Sequence, residues 1–342
     1  MLKRVSLFFV FCTCTVAHSA VIDEVQQKQW VDTAVVEVFQ PLVGQLSEST
    51  EKLQQSLAGS CDALQSQAVF VAVVDDFSYI EYYRLGAMNS ANRAERIFFW
   101  PDRKGTGQKQ MRRLLADPDR GALDADSIAK KSVALQGLPA LERILFGQTS
   151  ALNAADCRVA QAIADNVHSI AQQLEEDWKS DDGVAYRLQN PTKSSVYRSS
   201  QESVAALLTV AESGLESIAD KKIQAMIKGL QQLAVMPKNA PFWRSGQTLS
   251  NLENNLHGIE RLLIASGMAE SAAAEGKLSF EFDNASRMIA AVAEALASGD
   301  AETAISRLQA LGFIVKSLHA LSSEDVSVKL GIVTGFNSSD GD

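Results

Sequence analysis

Apolar residues recur every three to four positions through nearly the whole chain, and strict alternation is absent. Val69, Val73, Phe77 and Ile80 fall on one face, so the β-branched run at 71–74 reads as helix, with Gly86 placed to stop it. Residues 151–178 repeat the pattern through Ala160, Ile163, Val167, Ile170 and Leu174. Residues 195–233 do so through Val204, Leu207, Leu208, Leu215, Ile218 and Ile227. Phe282, Met288, Ile289, Val292 and Leu296 mark another helix, and Gly299-Asp300 turns into a last one over 301–321. The pattern predicts an all-α fold. Polar residues and Pro191 interrupt the periodicity between 183 and 195, which divides the chain into two helical bundles, 21–188 and 189–336, with a flexible tail at 337–342. The roughly 320 residues involved exceed a typical single core and agree with two domains.

The first twenty residues stand apart from this pattern. Lys3 and Arg4 precede a short apolar run, 5–16, and Ala17-His18-Ser19-Ala20 offers small residues for cleavage after Ser19 or Ala20. The run is too short to span a bilayer, and bulky Phe11 before Cys12 argues against a lipoprotein. These features predict an exported, periplasmic protein without stable membrane insertion. Losing Lys3 and Arg4 makes the formal net charge of −9 more negative by two. So acidic a chain argues against nucleic acid as a partner. In an oxidising compartment the two remaining cysteines, Cys61 and Cys157, are expected to pair, closing a loop worth about 4 to 5 kcal/mol in the chain-entropy model.

Two aromatic loops interrupt the helices. One reads Phe98-Phe99-Trp100-Pro101-Asp102-Arg103-Lys104-Gly105, the other Pro241-Phe242-Trp243-Arg244-Ser245-Gly246. Between them stands Gly137-Leu138-Pro139-Ala140-Leu141-Glu142, the outline of a Gly-x-His-x-x-Glu motif with proline at the histidine position. Physically this segment is a helix start: Pro139 suits a first turn and Glu142 lies near the positive end of the helix dipole. The two loops admit two readings. Asp102, Arg103, Arg244 and Ser245 line a ligand pocket with Gly137 and Glu142, Arg244 gripping an anion through two hydrogen bonds. Alternatively, Asp102 and Ser245 cap helices while the tryptophans cover bundle ends.

Three motifs in this order resemble those of the imelysin family, in the subgroup that carries Gly-Leu-Pro-Ala-Leu-Glu in place of Gly-x-His-x-x-Glu. The resemblance implies a two-domain helical fold, export to the periplasm or outer surface, and a part in iron uptake. It also raises a peptidase reading, which Pro139 weakens by removing the imidazole. A faint internal echo lays 137–145 against 255–263 and aligns His257 with Pro139. His257 and Glu260 keep His-x-x-Glu spacing on one helix face, so Glu142, His257 and Glu260 are a candidate set of ligands for iron or another divalent metal, should the halves bring them together. Outside this set, Asp75-Asp76 and Glu175-Glu176 read as solvated helix faces, and His168 and His319 as ordinary residues of amphipathic helices. No Gly-x-Ser-x-Gly elbow, phosphate-binding glycine loop or His-Glu-x-x-His occurs, and no residue is assigned a catalytic role. Three functions follow: a binding or accessory protein for iron acquisition, holding an iron species or an uptake component in a pocket between bundles; a metal-dependent peptidase; or an interaction module without a small ligand. Whether such a ligand is an ion, haem, chelate or protein is not written in the sequence.

Overall fold

Short polar caps mark where the long helices begin. A computed structural model of the chain describes residues 23–59, 62–147, 152–233 and 238–332. The proposed signal segment, the 337–342 tail and Cys61 lie outside these residues. Asp23 accepts a hydrogen bond from the Val25 amide and opens α1, which runs Glu24–Thr33, widens into a π turn at Ala34–Phe39 and continues as Gln40–Gly59. Asp62 accepts from the amides of Leu64 and Gln65 and opens α2, Ala63–Ile80. Then follow α3, Thr106–Ala116; α4, Leu138–Leu145; and α5, Ala154–Lys179, capped by Asn153. Helix α6 runs Ser200–Ser217, passes through a π turn at Ile218–Ile223 and ends as Gln224–Leu233. Helices α7, Thr248–Ala265, α8, Glu275–Ala297, and α9, Ala301–Ala320, complete the set, with a π turn at Leu321–Ser327. Among the described residues there are no strands, as the periodicity predicts, and no helix is long and apolar enough to cross a membrane.

The second half of α1 lies between α2 and α5, while α8 and α9 form an antiparallel pair packed against α7 and the π turn of α6. The two halves of the sequence meet directly. Helix α7 packs on α2, and α6 on the start of α1. Buried apolar residues form one continuous cluster that includes Val184 and Leu188 at the end of the first half and Val204 and Leu207 in the second. Phe39 stacks on Trp178 with centroids 4.3 Å apart, and each such buried ring contributes roughly 1.5 to 3 kcal/mol through removal from water. The halves approach closely at Gly258 of α7, where a Cβ would come 2.1 Å from the Tyr79 carbonyl oxygen. There the Tyr83 hydroxyl donates to the Gly258 carbonyl at 2.7 Å.

The sequence reading needs two corrections here. Helix α2 ends at Ile80 rather than at Gly86, because Tyr83 and Leu85 already bond back in tight turns. Gly86 instead sits at φ +52° beyond them, and the Asp177 carboxylate accepts from the Ala87 amide. Asp75 and Asp76 are half-buried rather than solvated, since Asn254 of α7 donates to Asp75 at 3.0 Å while Asp76 lies against Ser49 and Lys52 of α1. Burial pushes both carboxyls above the usual range, with the neighbouring Asp76 charge adding to the shift of Asp75.

One charged cluster lies inside the helical contact. Lys222, in the π turn of α6, is 1% exposed. Its ammonium donates to Glu81 Oε2 at 2.7 Å, Asn251 Oδ1 at 2.7 Å and Asn255 Oδ1 at 2.6 Å. The asparagine amides continue the network to Ser78 and back to Glu81. Glu81 follows α2, Lys222 belongs to α6 and both asparagines to α7, so one buried network joins three helices.

Candidate functional site

The residues before α3 and α4 fold back so that the first aromatic loop faces the second. Gly137 passes beneath the loop with an extended backbone, and a Cβ there would lie 2.2 Å from the Ile97 carbonyl oxygen and 2.3 Å from that of Arg96. Only glycine permits this approach. Trp100 Nε1 donates across to the Asn239 carbonyl at 2.8 Å, and Phe98 stacks on Phe242 with centroids 5.0 Å apart. Phe242 sits at φ +51°, a left-handed conformation that costs a non-glycine residue on the order of 1 to 3 kcal/mol. Its buried ring, held also against Phe70, keeps it there.

Between the loops is a small cavity of about 80 Å³, lined by Trp100, Asp102, Pro139, Glu142, Arg143, Lys238, Trp243 and Arg244 among others. Asp102 caps α3, accepting from the amides of Thr106 at 2.6 Å and Gly107 at 2.9 Å. It also receives Arg143 Nη2 at 3.3 Å. Arg143 Nη1 donates to the Pro139 carbonyl at 2.7 Å. Glu142 is 2% exposed, and its Oε1 accepts both the amide and the hydroxyl of Ser245, at 3.0 and 2.8 Å. Burial raises the Glu142 carboxyl above its ordinary range, opposed by the Ser245 bonds and by the charges of Arg244 and Arg143. The Arg244 guanidinium lies 4.3 Å from the centre of the Trp243 ring. Two buried donors of the lining residues, Arg143 Nε and Trp243 Nε1, have no partner.

The structure therefore brings together Asp102, Glu142, Arg244 and Ser245 of the residues singled out from sequence. It separates the others. Arg103 points to solvent and does not line the cavity. Gly137 serves the close backbone crossing. Ser245 does not cap α7: its amide and hydroxyl are turned toward Glu142, and the cap position is Gln247. His257 and Glu260 do not converge with Glu142. They lie along α7, with His257 nine residues beyond its first residue, about 14 Å at the helical rise. There His257 stacks on Tyr79 and meets Ser286, while burial raises the half-buried Glu260 carboxyl. The echoed segments thus occupy different settings, a helix start at 137–145 and a helix interior at 255–263.

The residues do not fit a metal ion. Among the described residues no group of three His, Cys, Asp or Glu side chains is arranged to hold one. More directly, Glu142 Oε1 already accepts two hydrogen bonds, and the charges that act on the carboxyl are those of two guanidiniums, which oppose a cation there. His168 is the satisfied buried histidine the sequence predicts, its Nδ1 3.1 Å from the Thr50 hydroxyl. Cys157 is buried at the start of α5, and the expected pairing with Cys61 involves a residue outside those described.

Sequence reasoning missed Arg143 and the Lys222 cluster. Arg143 stands next to the motif glutamate, but helix periodicity alone does not say that it reaches back over Pro139 to Asp102. Lys222 carried a clearer signal: it falls four positions after Ile218 and seven after Leu215, on the apolar face of its helix.

The family model for imelysin (Peptidase_M75) matches residues 41–321. Among solved structures, the crystal structure of an imelysin-like protein from Psychrobacter arcticus 273-4 at 2.15 Å resolution superposes with a TM-score of 0.76. The match covers 92% of this chain and 98% of that one at 17% sequence identity, which speaks for a shared fold. No curated protein matches the chain.

Proposed function

The chain belongs to the imelysin family, and on that premise we propose that it is an exported, periplasmic binding protein in iron acquisition, taking its ligand in the cavity around Glu142. The observation that carries this reading is the position Glu142 already holds. Its buried carboxylate ties the start of α4 to the Phe-Trp-Arg-Ser-Gly loop through both donors of Ser245. A carboxylate so engaged is a strut between the two walls of a pocket. Metal-dependent hydrolysis needs a metal-bound water and a general base close to it. Pro139 stands where the motif would supply imidazole, and Arg143 and Arg244 oppose a cation beside Glu142. The basic start, short apolar run and Ala17-His18-Ser19-Ala20 support export.

The test is a thermal-shift panel on the mature chain with ferric citrate, haemin, free citrate and divalent metal ions, run beside a peptide-hydrolysis assay. A rise in Tm with one of these ligands and no hydrolysis is expected. Hydrolysis that disappears in Glu142→Gln would establish the peptidase instead. Recovery of the protein from the cytoplasm, with residues 1–20 still attached, would sink the periplasmic assignment.

A further inference from the structure

We propose that the cavity recognises a carboxylate, the terminal group of a small polycarboxylate, through Arg143 Nε and Trp243 Nε1. The inference rests on the binding-protein reading and names its ligand class. Within the cavity lining, the buried polar atoms left without a partner are these two, and both are donors. Buried polar groups are nearly always paired, so two unpaired donors beside one cavity call for an acceptor from outside. Arg143 Nη1 and Nη2 each have an internal acceptor, the Pro139 carbonyl and Asp102, whereas Nε has none.

Charge points the same way. Arg143, Arg244 and Lys238 line the cavity against Asp102 and Glu142, an excess of one positive charge. Both carboxylates already have donors from within the protein, Asp102 the α3 amides and Arg143, and Glu142 Oε1 the amide and hydroxyl of Ser245. A carboxylate offers two acceptor oxygens, one for each of the two N–H donors. The volume sets the rest: about 80 Å³ holds a carboxylate and a few further atoms, since a single water needs about 10 to 15 Å³ on the same measure. The body of a larger ligand must therefore stay outside, and the cavity reads its acidic end. A free polycarboxylate and its metal complex share this chemistry.

The indole N–H of Trp243 reports binding directly. The chain has four tryptophans, and Trp243→Phe assigns the signal while keeping an aromatic ring in place. Titration of the ¹⁵N-tryptophan-labelled mature chain with citrate is expected to move the Trp243 indole resonance downfield and to leave those of Trp30 and Trp178 unmoved. Arg143→Lys keeps the charge but removes Nε, and should weaken citrate about tenfold or more; Trp243→Phe should weaken it by a similar factor. A parallel titration with gallium citrate, a diamagnetic substitute for the ferric complex, identifies the source: tighter binding of the complex assigns a chelate, tighter binding of citrate the free acid. An unmoved Trp243 indole with citrate, a response to phosphate alone, or unchanged citrate affinity in both variants would overturn the proposal. Stabilisation by a divalent metal ion with no response to citrate would also overturn it, yet leave the binding-protein reading standing. Hydrolysis abolished by Glu142→Gln would remove that reading independently of the indole shift.

Discussion

Two buried charge clusters lie in this fold, and they differ in how completely they satisfy themselves. Around Lys222 the three ammonium hydrogens meet three acceptors, and the asparagine amides close the network onto Ser78 and Glu81. Around Glu142 and Arg143 the pairing is incomplete, and two N–H donors are left over. The two clusters are neighbours through the aromatic loop: Phe98 and Trp100 place their rings 5.5 and 5.9 Å from the Lys222 ammonium, and both residues also line the cavity. A closed network has nothing to offer a ligand and serves as a strut. An open one has both the donors and the space.

The strongest way to break this contrast is Lys222→Met. It leaves Glu81 buried and uncompensated, and the chain should lose about 3 to 5 kcal/mol in urea unfolding. The double variant Lys222→Met/Glu81→Leu should regain much of that loss, because it removes both charges. A single variant that unfolds at the wild-type urea midpoint would show that the cluster is no strut.

Much of the fold was readable from the sequence, and the part that was not has a physical cause. Helical spacing located α2, α5, α6, α8 and α9, because an amphipathic face is a local property. The same spacing puts Lys222, a charge, on an apolar face, a signal that went unread. Two aromatic loops flanking a Gly-Leu-Pro-Ala-Leu-Glu segment were enough to group Asp102, Glu142, Arg244 and Ser245. Tertiary direction was hidden. Whether Arg103 or Arg143 turns into the cavity depends on how the loop enters α3, and His257 shares spacing with a metal motif while lying well down α7 from the loop that meets Glu142. The half-burial of Asp75 and Asp76 is likewise invisible until α7 and α1 are laid beside them.

A smaller effect tests the strut role of Glu142. Replacing it by alanine strips both Ser245 donors of a charged acceptor and should cost about 1.5 to 3 kcal/mol. Glu142→Gln retains an acceptor and isolates the titration. Because burial raises the folded-state value of Glu142, its protonated form favours folding. That contribution is fully present below the ordinary glutamate value of about 4.3, and is lost as pH rises through the folded-state value. The stability of wild type relative to Glu142→Gln should therefore decline from about pH 4 upward, read from urea midpoints across pH. A difference that grows with pH would mean that Arg143 and Arg244 outweigh burial, and that the site behaves as a closed ion cluster like that of Lys222.

The smallest expected effect sharpens the contrast most cleanly. Arg103 adjoins Asp102 and Arg143 is bonded to it, yet the sequence placed only Arg103 in the pocket. In the structure Arg103 is exposed while the Arg143 side chain is 11% accessible and bonded to Asp102. An exposed arginine without a buried partner contributes little, so Arg103→Ala should stay within about 0.5 kcal/mol of wild type. Its affinity for citrate should also match wild type, apart from a weak dependence on ionic strength through long-range charge. Arg143→Lys, changing fewer atoms and no charge, should fall about tenfold in the same titration. If Arg103→Ala loses affinity as strongly as Arg143→Lys, then net positive charge near the loops, not the two unpaired donors, is what the anion reads.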